Sequence, residues 1–168
     1  MAGITDAPFR ALAWQFGAGY VVSEMLASGQ QLWNSSKSRQ RRAPVRGIEP
    51  RCVQIAGGDP VTVANAARRH WLDGADIIVI NFGCPAKKVC RKAAGSQLMR
   101  DEGLIAAIVR DAVAAVPVPV TVKMRTGWSR EQRNGVEVAR IVQEEGAAAV
   151  TVHGRTRACR FEGAAEYE

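Results

Sequence analysis

The sequence has no long hydrophobic run, since none of its apolar stretches approaches the roughly 18 uninterrupted residues that a membrane-spanning helix requires. Its first residues also lack the basic-then-apolar layout of a secretory signal peptide. These absences predict neither a membrane protein nor an exported one, so a cytoplasmic location is the default expectation. With 47% hydrophobic and 23% charged residues among 168, the chain is typical of one globular domain with an apolar core.

Paired cysteines and glycine-rich nucleotide motifs are missing as well. The four cysteines, at positions 52, 84, 90 and 159, form no C-x-x-C pair and no zinc-type spacing with histidine. This argues against a disulfide framework and against a structural metal. There is no G-x-G-x-x-G after the first strand pattern and no Walker-type G-x-x-x-x-G-K-[ST]. Each cysteine therefore has to be considered singly.

The net formal charge of +7 is concentrated in two segments of the chain. The first segment contains Lys37, Arg39, Arg41, Arg42, Arg46 and Arg51, and the second contains Lys87, Lys88, Arg91 and Lys92. One such run is as consistent with a solvated loop as with a binding surface. Two runs in a small domain favour an anionic partner, because neutralised phosphates release their counterions.

Short runs rich in Val and Ile alternate with segments of helical period, which predicts βα units around a parallel sheet. The predicted strands are Tyr20–Ser23, Cys52–Ala56, Ile77–Ile80, Val120–Lys123 and Ala149–His153. Asp6 and Pro8 mark the start of the first helix, and Gly17 marks its end. The polar stretch from Ser28 to Pro50 is predicted to be a long connection with some helix, and long connections are usually functional.

Polar side chains occur where the predicted strands end, at Glu24, Asn81, Lys123 and His153. Active sites of (β/α) barrels and of open α/β sheets occupy that edge. The absent dinucleotide motif favours the barrel, and an open doubly wound sheet is the alternative. A complete barrel needs about 250 residues. We therefore expect residues 1–168 to form one incomplete (β/α)8 TIM barrel, truncated at both ends, from the end of strand one to roughly strand six.

Cys84 lies between Gly83 and Pro85, directly after a strand that is predicted to be buried. A thiol on such a turn can act as a nucleophile or as an acid, and cations such as Lys87 and Lys88 can tune it. A structural role as a small apolar residue suits Cys52 better, because Cys52 lies within a strand pattern. We therefore predict a functional role for Cys84.

Three further polar side chains follow or interrupt apolar strands. Lys123 must leave the core or pair with a negative group, such as a phosphate or the electron-rich end of a flavin, and a solvent-exposed lysine is the alternative. His153 places a donor at the same edge, whereas His70 lies on a helical face and is predicted to be structural. The amide of Gln54 would need partners in a barrel interior, which a heterocycle with imide edges offers.

Five blocks of the sequence carry a family resemblance. They are Met1–Arg10, Val53–Gly57, Asn81–Val89, Val122–Gly127 and His153–Thr156. In this order and spacing they resemble the tRNA-dihydrouridine synthases, and most closely the bacterial B-type branch. The resemblance implies an FMN-binding TIM barrel, followed in the family by a helical tRNA-binding domain that is absent from residues 1–168. It also implies that NADPH reduces the flavin and that the C5–C6 double bond of particular uridines in tRNA is reduced.

The resemblance also implies roles for individual residues. Cys84 would protonate C5 while reduced flavin delivers hydride to C6. Contacts to FMN are implied for Met1, Ala2, Gln54, Lys123 and His153. Asn81 would help to hold the target uracil, extruded from the folded tRNA. Lys87, Lys88 and Arg91 would hold the surrounding tRNA backbone.

Two other functions stay open on the sequence alone. The first is another FMN-dependent TIM-barrel reductase that acts on a free pyrimidine, although such an enzyme would not need two basic segments. The second is an inactive RNA-binding fragment that keeps the basic segments without the cofactor. The tryptophans Trp33 and Trp128 lie near basic loops, so stacking on bases also stays open for them. No membrane or protein partner is implied.

Overall fold

The computed structural model describes residues 3–33, 35–90 and 93–166. A parallel sheet of five strands runs through it in the order β1-β2-β3-β4-β5. The strands are β1 (Leu26–Ala27), β2 (Cys52–Ala56), β3 (Ile77–Phe82), β4 (Val120–Arg125) and β5 (Ala149–His153). Because chain order equals spatial order, the sheet lacks the reversal of a doubly wound fold. The predicted incomplete TIM barrel is therefore confirmed.

Helices connect successive strands of the sheet. They are α1 (Ala7–Gln15), α2 (Ser36–Arg42), α3 (Pro60–Leu72), α4 (Lys87–Cys90), α5 (Glu102–Ala115) and α6 (Gly135–Glu144), with 3₁₀ helices at Gln30–Leu32 and Gly95–Arg100. Asp6 caps α1 as predicted, since its Oδ1 accepts a hydrogen bond of 2.9 Å from Phe9 N. No helix in the described ranges is long and apolar enough to span a membrane.

The strands divide their side chains between two faces of the sheet. One face packs on α3 and α5, and its fully buried members include Ile55, Ile80 and Met124. The alternating residues Gln54, Asn81 and Lys123 do not belong to that apolar cluster. Because successive side chains of a strand point to opposite faces, these polar residues share the other face, which is the interior side of a barrel.

Strand bounds differ from the prediction at three places. Tyr20–Ser23 was predicted as a strand but contains only an isolated bridge between Val22 and Cys52, and β1 lies further along the chain. The Oγ of Ser23, rather than a backbone carbonyl, receives the N–H of Gln54, which interrupts a regular ladder. Strands β3 and β4 run two residues further than predicted, because Asn81 pairs with Lys123 and Phe82 with Met124.

Two apolar surfaces remain uncovered in this structure. Phe9 and Leu12 on α1, and Phe16 directly after it, recur at helical spacing, yet all three are exposed. Strand β5 has no buried residue and is exposed or half-buried over its full length, unlike the buried strand β2.

Candidate active site

The interior face brings the predicted polar residues together at the carboxyl edge of the sheet. Asn81 pairs with Lys123 in the register of β3 and β4, and Arg125 pairs with His153 in that of β4 and β5. Gln54, on β2, reaches Asn81 directly, since Asn81 Nδ2 donates to Gln54 Oε1 at 2.5 Å. Four strands therefore contribute side chains to one edge.

Asn81 holds the turn that carries Cys84. Its Oδ1 accepts two hydrogen bonds of 2.9 Å, from the backbone N–H groups of Gly83 and Cys84. An amide oxygen has two lone pairs, and both are used here, whereas among the described residues only one of the two Nδ2 hydrogens finds an acceptor. Asn81 therefore fixes the backbone of Cys84 and keeps one N–H for a ligand.

The carbonyl of Cys84 is fixed from the other side by the 3₁₀ helix that follows α4. Ser96, which is fully buried, donates to it through Oγ at 2.9 Å and through its backbone N–H at 3.1 Å. Gly95, with φ of +63°, lies so close that a Cβ there would stand 2.8 Å from the Cys84 oxygen. The Cys84 side chain is half-buried and its thiol is free. Cys52 is buried, as predicted for a structural cysteine.

Gln54 is buried and its amide is only partly used. The Oε1 atom accepts the bond from Asn81, and Nε2 makes a long contact of 3.4 Å with the carbonyl of Ser23. Within the part of the chain that the structure describes, one Nε2 hydrogen is left for a further acceptor on the interior face. This is the arrangement expected of an amide that hydrogen-bonds a heterocycle.

Lys123 is a half-buried cation on the same face. Within residues 3–33, 35–90 and 93–166, its ammonium group has no hydrogen-bond or ion-pair partner. Burial, and then the nearby Arg125 guanidinium, hold the pKa of Lys123 below its usual range. A cation in this setting favours an electron-rich ligand. Lys123 and Gln54 thus fit the donor set that a flavin ring requires.

His153 is half-buried at the end of β5. Burial lowers its pKa, and the charges of Arg125, Lys123 and Arg155 lower it further. Its Nε2 lies 3.2 Å from Nη1 of Arg155, and a neutral imidazole accepts that hydrogen bond. His153 is therefore a neutral ring that lies beside the cations of the site.

Arg125 is a site residue that the strand-end pattern did not reveal. Its guanidinium donates to the carbonyls of Gly83, Thr156 and Arg160 at 2.8 to 2.9 Å. The pKa of Arg125 is lowered by burial and by Arg155, whereas Cys84 and Cys159 act in the opposite direction. The only signal in the sequence was the apolar run that ends at Lys123, two residues before Arg125. Such a local pattern does not show contacts with residues that are distant in the chain.

Several predicted site residues lie outside this cluster or outside the described residues. Met1, Ala2 and Arg91 are not among the residues that the structure describes, and neither is the side chain of Lys88. Lys87 is exposed on α4, just beyond the Cys84 turn. Glu24 is buried near the same edge, where Oε1 accepts from Gly3 N at 2.5 Å and lies 3.9 Å from Arg41 Nε.

Comparison with known proteins identifies the family. The model of the dihydrouridine synthase (Dus) family matches residues 1–168. The chain is 60% identical to tRNA-dihydrouridine synthase B of Pseudomonas aeruginosa, 55% to that of Salmonella typhimurium and 53% to that of Escherichia coli K12. Each match covers the whole chain and 51 or 52% of the relative, so the chain spans about half the length of these curated relatives. This chain belongs to the dihydrouridine synthase family.

Proposed function

We propose that the protein containing this chain reduces the C5–C6 double bond of uridines in tRNA, with Cys84 as the proton donor. The observation that carries this proposal is the placement of Cys84. Its backbone is held by Asn81 and Ser96 at the edge where Gln54 and Lys123 keep free donors. The names of the matched relatives support tRNA as the substrate.

The two halves of the reaction fall to different parts of the site. Bound FMN, reduced by NADPH, would supply the hydride that adds to C6. Gln54 and Lys123 would hold the flavin ring, with His153 beside them, and Met1 and Ala2 complete our proposed contact set. These residues serve to bind and orient, and none of them is required to transfer a proton.

Cys84 completes the addition at C5. The S–H bond of the thiol breaks as a C5–H bond forms, which leaves a thiolate that regains a proton from water. The unused N–H of Asn81 donates to a uracil carbonyl, so one residue orients both the acid and its substrate. The Arg125 guanidinium donates to the carbonyl of Gly83, the residue before Cys84, at 2.9 Å and so fixes the turn that carries the thiol.

The substrate has to leave its stacked position to reach this edge. A uracil within a folded loop is inaccessible, so the nucleotide is extruded into the site. Lys87, Lys88 and Arg91, just after the Cys84 turn, then neutralise phosphates of the surrounding strand.

Deletion of the gene, followed by mass spectrometry of its tRNA, tests the proposal. We expect dihydrouridine to disappear from at least one tRNA position and to return with the wild-type gene but not with Cys84→Ala. Cys159→Ala is the matched control, because Cys159 is another half-buried free thiol in the field of Arg125. It should restore dihydrouridine fully.

The colour of the purified protein separates the alternatives. A Cys84→Ala protein that keeps its flavin absorbance but forms no dihydrouridine would support the assignment of the acid. Unchanged tRNA after deletion would instead reject the proposal. A flavin-containing protein would then point to a free pyrimidine as substrate, and a colourless one that still binds tRNA to an inactive RNA-binding protein.

A further inference from the structure

An open cleft lies beside the Cys84 turn, outside the set of residues assigned above to cofactor and uracil. Its volume is about 500 Å³, within the range of small-ligand sites. It is lined by Lys87, Cys90, Ala93, Gln97, Trp128 and Arg157. These residues come from α4, from Ala93 and the 3₁₀ helix that begins two residues after it, and from the loops that follow β4 and β5.

The cleft and the Cys84 turn share a wall. Cys90 lines the cleft, and its Sγ lies 3.7 Å from the carbonyl oxygen of Cys84. Gln97 also lines the cleft and directly follows Ser96, which donates to that same carbonyl. A nucleotide adjacent in sequence to one held at Cys84 is therefore within reach of the cleft.

The indole ring of Trp128 contacts the guanidinium groups of two arginines at the cleft. The guanidinium carbon of Arg157 lies 4.3 Å from the centre of the indole ring, and that of Arg100 lies 5.2 Å from it. Both distances are those of cation–π contacts, for which tryptophan is the preferred ring. The result is a flat aromatic and guanidinium surface, the kind on which nucleic-acid bases stack.

Backbone hydrogen bonds hold this surface in place. The Trp128 N–H donates to Gln132 O and its carbonyl accepts from Ala158 N, both at 3.0 Å, while Arg157 N donates to Gly127 O at 2.9 Å. The two loops that carry the tryptophan and the arginine are thereby joined. A preformed surface loses less conformational entropy when a ligand binds.

The charge of the cleft selects an anion. Lys87 and Arg157 are cationic, and none of the six lining residues is acidic. The nearby carboxylate of Glu131 accepts a hydrogen bond from Ser129 Oγ, and Arg130 and Arg133 act on it as neighbouring cations. A ligand that combines a phosphate with a planar base matches both features of the cleft.

We propose that this cleft binds a nucleotide that flanks the reduced uridine in the RNA strand. Its base stacks on the surface made by Trp128 and Arg157, and its phosphate contacts Lys87 and Arg157. The proposal rests on the proposed function in that the strand enters the site at Cys84. It adds a second RNA contact that fixes the strand on one side of the extruded uridine.

The test uses the natural full-length gene product with fluorescently labelled tRNA and with a labelled single-stranded dodecamer RNA. We expect Trp128→Leu and Arg157→Gln to raise the dissociation constant about tenfold, the effect of losing one stacked base. Arg157→Gln should also reduce the slope of log affinity against log salt by about 0.7, which corresponds to one phosphate contact. In turnover, KM for tRNA should rise by a similar factor while kcat changes less than twofold.

Two control variants separate this role from a general loss of charge or folding. Arg110→Gln removes the same charge from an exposed position on α5, where Arg110 pairs with Glu145, and it should change the affinity less than twofold. Trp128→Phe keeps an aromatic face and should bind RNA within about threefold of wild type. Flavin absorbance equal to wild type verifies the fold of each variant.

The outcomes also distinguish the two proposals. If Trp128→Leu and Arg157→Gln bind RNA as well as Arg110→Gln does, or if they lower kcat without weakening binding, the cleft is not a nucleotide site. Weakened RNA binding in a protein that reduces no uridine would support the cleft and reject the proposed function. Normal uridine reduction with unchanged affinity would do the reverse.

Discussion

Lys123 combines a half-buried position with an ammonium group that has no protein partner within the described ranges. A buried cation of this kind is stabilised only when a ligand supplies the opposite charge or an acceptor. On our assignment the ligand is the flavin ring, and Lys123 contributes to its affinity rather than to proton transfer.

We therefore expect Lys123→Met to weaken FMN binding by about 2 kcal/mol, the typical contribution of a hydrogen bond to a charged group. The ratio of flavin to protein after purification, followed by titration with FMN, measures this change. Lys87→Met removes the same charge from an exposed position on α4 and should keep the wild-type ratio. Equal flavin affinity in both variants would contradict the assignment of Lys123.

His70 is the opposite case, a buried histidine that takes no part in the site. It is 1% exposed on α3, and neither ring nitrogen has a hydrogen-bond partner within the described part of the chain. Burial, followed by the charge of Arg42, lowers its pKa to about 4. The folded protein therefore keeps the ring neutral, as expected for the structural histidine that the helical pattern predicted.

This lowered pKa makes stability depend on pH. As the pH falls below about 6.5, His70 becomes protonated in the unfolded chain. In the folded protein it stays neutral until the pH approaches about 4. The contribution of the neutral His70 to the free energy of unfolding is complete above about pH 6.5. It is lost as the pH falls to about 4, by a total on the order of 3 kcal/mol. We expect urea unfolding between pH 4.5 and 7.5 to show a shallower pH dependence for His70→Leu. Parallel curves for wild type and variant would contradict this.

Sequence reasoning located the polar residues whose placement follows from their position on a strand, while the roles of these residues stay predictions. Gln54, Lys123 and His153 follow or interrupt apolar runs, so their placement on the interior face could be predicted from alternation and strand order. The role of Arg125 could not, because it depends on carbonyls of two loops remote from it in the chain.

Among the elements, the loops after β3 and β5 are joined through Arg125. The first loop contains the Cys84 turn, and the second contains Thr156 and Arg160. Arg160 has φ of +50°, which is uncommon for a residue other than glycine. Its carbonyl is one of the three that accept hydrogen bonds from Arg125. The buried guanidinium thus holds a strained loop against the Cys84 turn.

Arg125→Lys should separate these loops, because one ammonium group cannot reproduce the fork that serves three carbonyls. Leaving two buried carbonyls without donors should lower the free energy of unfolding by about 2–4 kcal/mol. Chemical denaturation measures the loss. Arg133→Lys, at a largely exposed ion pair with Glu166, should cost less than about 0.5 kcal/mol. Similar losses of unfolding free energy for both variants would mean that the three hydrogen bonds of Arg125 stabilise the fold no more than a surface ion pair does.

Element boundaries show where local sequence stops being informative. The bounds of β2 and β5 were predicted correctly from their apolar runs. Tyr20–Ser23 was predicted as a strand, yet it pairs only at Val22, and regular pairing begins at β1. The reason is that the Oγ of Ser23 accepts the backbone N–H of Gln54. A hydrogen bond in which a side chain replaces a backbone carbonyl depends on the partner strand. It therefore does not alter the hydrophobic periodicity of the sequence.

At the scale of the whole molecule, the sheet is open. Strands β1 and β5 end the order of strands, and the described residues pair with neither outer edge. Open parallel edges and exposed apolar side chains promote association between chains. Val152 on β5 is 48% exposed, and Phe16 after α1 is 84% exposed.

We expect residues 1–168, expressed without further sequence, to self-associate as their concentration rises. Val152→Lys should shift the population towards monomer, because a charged edge strand disfavours pairing. Size-exclusion chromatography with light scattering over a concentration series measures this. Val136→Lys adds the same charge at an exposed site on α6, away from the edge, and should have little effect. A monomer at all concentrations would contradict the expectation.

Gly95 has a consequence for how this segment of the protein tolerates change. Its missing side chain leaves the room in which the carbonyl and Cβ of Cys84 lie, 2.8 and 3.1 Å from where a methyl group would stand. The position of Cys84 thus depends on the absence of a side chain at another position of the chain. If Cys84 is the proton donor that we propose, a displacement of about 1 Å can cost a hundredfold in rate. We then expect a survey of variants to rank position 95 with Cys84, although glycine has no reactive group.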